Sequence, residues 1–189
     1  KIATAIECKV KDVEQGIREA ERGAVYDKFT SKSHEMLTGT VLRIDPETGD
    51  KIIRIGSGTE KTNAVLLRSE QSDVEEYLEG DLIRVYVVEV RRNNHGPQVL
   101  VSRTHPGLVK RLFEREVPEI ADGTVEIKSI AREARSRTKL AVWAANPDID
   151  PVGTCVGLRG ARVNAVVDEL CGEKMDIIRY SEDVEEYVG

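Results

Sequence analysis

The chain has 189 residues, 40% of them hydrophobic and 33% charged, with a net charge of −6. That length allows one or two domains with cores of their own, and the acidic balance argues against duplex nucleic-acid binding through bulk positive charge. No apolar run is long enough to span a membrane, and the first residues do not read as a signal peptide. Cys8, Cys155 and Cys171 are odd in number and lack C-x-x-C spacing, which argues against a disulfide framework and fits a reducing cytoplasm. His34, His95 and His105 have no cysteine or carboxylate at ligand spacing, so no metal or cofactor is expected. Without a Gly-x-Ser-x-Gly elbow or a Cys/His arrangement, no catalytic nucleophile is expected either.

In chain order, Asp12-Val13-Glu14-Gln15 fits a capping box that would begin a helix. Val13, Ile17, Ala20 and Ala24 form its apolar stripe, with Arg18-Glu19-Ala20-Glu21-Arg22 on the outer face. One stripe on a lone helix needs a partner. Residues 1–8 lack an initial Met and read as part of an element, so a fragment of a longer protein is expected.

Residues 35–103 have a different texture. Five short β-rich runs (36–44, 51–55, 63–67, 82–90 and 98–102) are separated by Asp45-Pro46, Thr48-Gly49-Asp50, Gly56-Ser57-Gly58 and Asn93-Asn94-His95-Gly96-Pro97. With a brief helical insert at 72–78, this predicts a small closed barrel of the OB type. The second run, Lys51-Ile52-Ile53-Arg54-Ile55, holds none of the aromatics on which bases stack in single-strand-binding barrels. Arg43, Lys51, Arg54, Lys61 and Arg68 remain as candidates to track a phosphate backbone. Acid is concentrated at 69–81 and 181–189, where solvated helix faces are the ordinary reading and protein docking the minor one.

From 105 onward, Leu108, Leu112, Phe113 and Val117 mark a helix ending near Pro118. Residues 123–130 alternate through Val125 and Ile127, with Ile130 out of phase. Residues 138–145 set Leu140, Val142 and Ala144 against Lys139, Ala141 and Trp143, and 175–180 offer a third strand. Between the last two strands, Asp150-Pro151 supplies an N-cap with proline at the first helical position. Gly157-Leu158-Arg159-Gly160 follows, and then Val163, Val166, Val167 and Leu170 at helical spacing. Helix, strand, strand, helix, turn, helix, strand is the order of a type II KH domain. In such a turn the glycines allow close backbone approach, the following helix N-terminus suits an anion, and Arg159 adds a fork of donors matched to phosphate. KH modules hold single strands with this device. No Gly-Lys-Ser/Thr follows the glycines, so a nucleotide-triphosphate loop is excluded. From Gly123 to Val163, seven basic residues (Lys128, Arg132, Arg135, Arg137, Lys139, Arg159, Arg162) stand against four acidic ones.

The predicted protein is therefore α+β and multidomain: an N-terminal helix in 1–34, a five-stranded OB/S1 barrel in 35–103 and a type II KH domain in 104–189. Candidate RNA-binding residues are Val156, Gly157, Leu158, Arg159, Gly160 and Arg162 at the turn, Lys139 beside it, and Arg43 and Arg54 on the barrel.

Gly39-Thr40-Val41, Leu78-Glu79-Gly80-Asp81 and the closing Val99-Leu100-Val101-Ser102-Arg103 resemble the S1 variety of barrel. Taken with the Arg18–Arg22 helix, Phe113-Glu114-Arg115-Glu116-Val117-Pro118-Glu119-Ile120, and the block from Ile149-Asp150-Pro151-Val152-Gly153 to Val163, the chain closely resembles the NusA family of bacterial transcription factors. The resemblance implies a connector helix at the end of a polymerase-binding domain, an S1 domain and the first of two KH modules, with 181–189 leading into the second. It also implies contact with single-stranded nascent RNA, an association with RNA polymerase and other antitermination factors, and effects on pausing, termination and antitermination in which no bond is made or broken. The rival is an S1–KH cap subunit of an RNA-degrading complex, which shares the domain order but not the Arg18–Arg22 helix or the Asp150–Val163 block. A protein-docking adaptor is the third reading.

Overall fold

The structure, a computed structural model, describes residues 2–56, 61–93 and 96–182, with side chains from residue 14 onward. Expectations at Cys8, at the side chain of Val13, at the 57–60 and 94–95 turns, and beyond 182 lie outside the described residues. Helix α1 (Ile2–Ser31) runs straight through Asp12. The capping box therefore starts nothing, because the residues before it are already helical and leave no free N–H groups to cap. The expected apolar stripe is also displaced: Ile17 is 54% exposed, and Phe29 instead is fully buried. Among the described side chains of α1, Val25 and Phe29 join the barrel core and the Tyr26 ring lies under the Arg92 guanidinium at 4.4 Å.

Strands β1 (Met36–Ile44), β2 (Lys51–Ile55), β3 (Thr62–Leu66), β4 (Leu82–Asn93) and β5 (Gly96–Ser102) close into a barrel in the order β1-β2-β3-β5-β4. Its interior is aliphatic: Val41, Ile53, Ile55, Ala64, Leu66, Ile83, Val85, Val87, Val99 and Val101 alternate inward. Position 39 on β1 requires glycine, because a side chain there would sit 2.5 Å from Ile53 and 2.7 Å from the Arg54 carbonyl. The insert at 72–78 is not helical; the single helical turn is a 3₁₀ segment at Arg68–Glu70. A buried ion pair explains the difference. Glu75 is drawn into the interior to meet Arg103, which holds the segment in turn and extended conformations. Lys51 is likewise buried, over the Tyr77 ring at 5.8 Å, and so does not line an outer groove.

The second unit contains α2 (Pro106–Glu116), the short α3 (Pro118–Ala121), β6 (Val125–Glu133), β7 (Arg137–Ala144), α4 (Pro151–Val156), a 3₁₀ turn at Leu158–Gly160, α5 (Ala161–Glu169) and β8 (Lys174–Arg179). Pro118 ends α2 and also opens α3, where its missing N–H costs nothing. The sheet order is β6-β7-β8, with β7 and β8 parallel across the α4–α5 crossover. The phase break in β6 is a β-bulge between Ile127 and Ser129, which turns Ile130 back to the core side. Leu108, Val109, Leu112, Phe113, Val125, Leu140, Val142, Cys155, Val166 and Leu170 make the core.

The two units share a junction that is apolar on one side and ionic on the other. Tyr86 points out of the barrel into the second core and stacks on the His105 ring at 4.6 Å and 10°. The His105 side chain also caps α2 by accepting from the Gly107 N–H at 2.9 Å. On the ionic side the fully buried Arg103 donates to both oxygens of Glu75, at 2.9 and 2.6 Å, and to the Arg84 carbonyl at 2.8 Å. It donates further to the side chain and carbonyl of Glu169 at the end of α5, at 3.1 and 2.9 Å. Arg84–Glu169 and Arg135–Asp73 pairs flank it.

A second buried pair braces the hairpin between β6 and β7. Nε and Nη2 of Arg132 donate to the two Glu173 oxygens, each at 2.9 Å, and Thr138 donates to the same carboxylate at 2.6 Å. Burial pushes the Glu173 carboxyl up, but the hydrogen bonds from Arg132 and Thr138 outweigh it and hold the group below its ordinary 4.5. The stability contributed by a depressed carboxyl is present above the unfolded value and lost as pH falls through the folded one. The thermal midpoint of the parent chain is therefore expected to fall on acidification below about pH 4.5. The Glu173→Gln variant, already lower at neutral pH, should lose less over the same range. Parallel midpoint curves from pH 7 to 3 would show that Glu173 carries none of the acid sensitivity.

Candidate nucleic-acid interface

Asp150 caps α4 by accepting from the Val152 N–H at 3.2 Å, with Pro151 at the first helical position. The helix lasts six residues and stops at Gly157, whose φ of 75° and ψ of 177° lie in a region open essentially only to glycine. Arg159 (φ 53°, ψ 28°) and Gly160 (φ 78°, ψ 13°) are left-handed. Three left-handed φ values in four residues reverse the chain tightly enough for α5 to start at once. Gly160 caps α5 with no side-chain bond, so the first N–H groups of that helix carry no side-chain cap. Leu158 stands at the tip, 85% exposed. Cys155, behind the turn, is buried and its thiol is pushed up to about 11 by that burial, which keeps it protonated and unreactive at neutral pH.

The seven basic residues of 123–163 separate into two groups. Lys128 pairs with Glu126, Arg132 with Glu173, Arg135 with Asp73, Arg137 with Asp176 and Arg162 with Glu119. Arg159 and Lys139 have no ion pair among the described residues. Arg159 lies inside the turn. Lys139 stands on the face of β7 opposite the buried Thr138 and Leu140, so the sheet separates it from the helices and the turn. Val156 and Gly157 are half-buried. Arg162 is half-buried too, and its guanidinium is occupied by Glu119 at 3.0 and 3.3 Å and by the Thr154 carbonyl at 2.8 Å.

On the barrel, Arg54 pairs in register with Thr40 and Asn63, and Arg43 lies three residues along β1 opposite Ile52. Both arginines are exposed on the outer face. No aromatic residue lies on β2 or β3. The structure thus gathers Val156, Gly157, Leu158, Arg159 and Gly160 at one turn, with Leu158 and Arg159 exposed, and it leaves Lys139 on the far face of the KH sheet and Arg43 and Arg54 on the barrel. Sequence reasoning missed Glu119, which meets Arg162 beside the turn, and Arg103, Glu75 and Glu169, which hold the far end of α5 to the barrel. Isolated charges in a chain that is one-third charged carry no signal of their pairing.

Among the described residues no helix is long and apolar enough to cross a membrane, and no group of His, Cys, Asp and Glu could hold a metal ion. A closed five-stranded barrel packed on a type II KH fold with a bare Gly-x-x-Gly tip defines an S1–KH protein. Residues 103–180 match the family described as NusA-like first KH domain. The chain is 52% identical over 176 residues to the transcription termination/antitermination protein NusA of Halalkalibacterium halodurans, covering 93% of this chain and 44% of that protein. It is 51% identical to the protein of the same name from Bacillus subtilis (93% and 46%) and 44% identical to that of Thermus thermophilus (92% and 44%). The chain belongs to the NusA family and spans about half the length of the curated relatives it matches. Nothing among these relatives favours a cap subunit of an RNA-degrading complex.

Proposed function

We propose that this chain is the RNA-contacting part of a NusA-like bacterial transcription elongation factor. In this role it grips single-stranded nascent RNA near RNA polymerase and so modulates pausing, termination and antitermination, acting by binding and not by catalysis in the cytoplasm. The observation that carries the reading is the exposed turn. Arg159, which has no ion pair among the described residues, stands beside the N-terminus of α5, where no side chain caps the helix, with Leu158 presented to solvent at the tip. The N–H groups and the arginine suit a phosphate, and an exposed leucine suits the face of an unstacked base. A strand held there would run past Val156, Gly157 and Gly160. Arg43 and Arg54 supply backbone contacts on the barrel, and Lys139 one on the KH sheet.

Titration of dye-labelled single-stranded RNA at several salt concentrations tests this. The parent chain should bind it, with affinity falling as salt rises. Arg43→Glu combined with Arg54→Glu should weaken binding less than changes at the turn and reduce the salt slope by about one unit per lost phosphate contact. No binding at low salt would overturn the reading. A barrel variant more damaging than a turn variant would move the primary RNA surface to the barrel.

A further inference from the structure

The geometry points to Glu119 and Arg162 as a brace that sets the shape of the Gly-x-x-Gly turn, with Arg162 a positioning residue and not a phosphate ligand. The inference rests on the proposed RNA grip at this turn. Glu119 lies on α3, outside the helix–turn–helix that forms the grip. It receives both arms of the pair from Arg162, and one of those arms also donates to the Thr154 carbonyl in α4. A single guanidinium therefore ties α3, α4 and the first turn of α5 together. Its aliphatic stem fills the space beside Gly157, where a side chain would sit 2.7 Å from the Arg162 Cγ. The turn it backs holds three residues of positive φ, one of which, Arg159, is not glycine and adopts a conformation that costs free energy unless the surroundings over-determine it. A fork bound to a carboxylate and a carbonyl supplies that constraint; a lysine, with one point of charge, does not.

The two roles predict opposite signs. If Arg162 held phosphate, Glu119→Gln would remove a competing negative charge, so RNA would bind more tightly and with a steeper salt slope. As a brace, Glu119→Gln loosens the turn. Affinity for a labelled single-stranded RNA of about ten nucleotides should then fall by about three- to tenfold, with the salt slope unchanged because no phosphate contact is lost. Arg162→Lys keeps the charge and should weaken binding by a similar factor, and the double variant should be little worse than either single one. Amide hydrogen exchange at 157–160 gives a readout that needs no RNA and should quicken in Glu119→Gln and further in Glu119→Ala.

Tighter binding or a steeper slope in Glu119→Gln would overturn the brace, as would unchanged exchange at the turn. A parent chain that binds no RNA, with exchange at the turn nonetheless quickened by Glu119→Gln, would keep the brace and sink the proposed function instead.

Discussion

Replacing Leu158 and Arg159 together by Asp is expected to abolish single-strand RNA binding and leave the fold intact. Leu158 contributes nothing to a core at 85% exposure, and Arg159 forms no ion pair among the described residues. The left-handed backbone at Arg159 (φ 53°) tolerates Asp better than most residues, so the turn keeps its path. What changes is charge. One cation is lost and two anions are set before the helix N-terminus where the phosphate would lie. A loss of about a hundredfold or more in affinity follows, since each contact to the backbone is charge-driven and steeply salt-dependent. Circular dichroism and the thermal midpoint should match the parent. Unchanged RNA affinity in a natively folded variant would remove the turn from the binding surface.

Arg103→Met should be the most destabilising single substitution among those considered. The guanidinium is fully buried and makes five bonds to Glu75, Arg84 and Glu169. Removing it strands the Glu75 carboxylate, itself only 3% exposed, without its partner. Leaving one charge of a buried pair uncompensated costs about 3–5 kcal/mol, on the order of 10 °C in thermal midpoint for a chain of this size. Most of the cost belongs to the orphaned carboxylate. Adding Glu75→Gln to Arg103→Met should therefore recover part of it, a sign that simple loss of packing does not give. Additive losses in that double variant would show that the buried charge is not the cause. Because Glu169 ends the helix that begins at the turn, the same arginine also anchors the far end of α5 to the barrel.

The periodic elements were legible because their signals are local. Five β-rich runs bounded by turn residues predict the barrel strands to within a few residues. The β6 phase break at Ile130 registers a real bulge, and Asp150-Pro151 marks the start of α4. The turn itself was legible for the same reason: glycine is the residue that admits φ 75° and ψ 177°, so its place in the chain announces the conformation. The misreadings came where a long-range partner overrode a local preference. Residues 72–78 have helical composition, but Glu75 is claimed by Arg103 from 28 positions away. Lys51 reads as a surface cation, and the barrel closes over it. Ile17, Ala20 and Ala24 recur at helical spacing but are exposed, and among the described side chains it is Val25 and Phe29 that join the barrel core.

By itself, then, the sequence determined the kind and order of the elements, the exposed glycine turn and the family, all of which depend on residues close together in the chain. Tertiary structure alone decided which of its many charges are free. An arginine's chemistry depends on the carboxylate that folding brings within about 3 Å, and that distance, not the residue type, separates Arg162 from Arg159, which has no ion pair among the described residues.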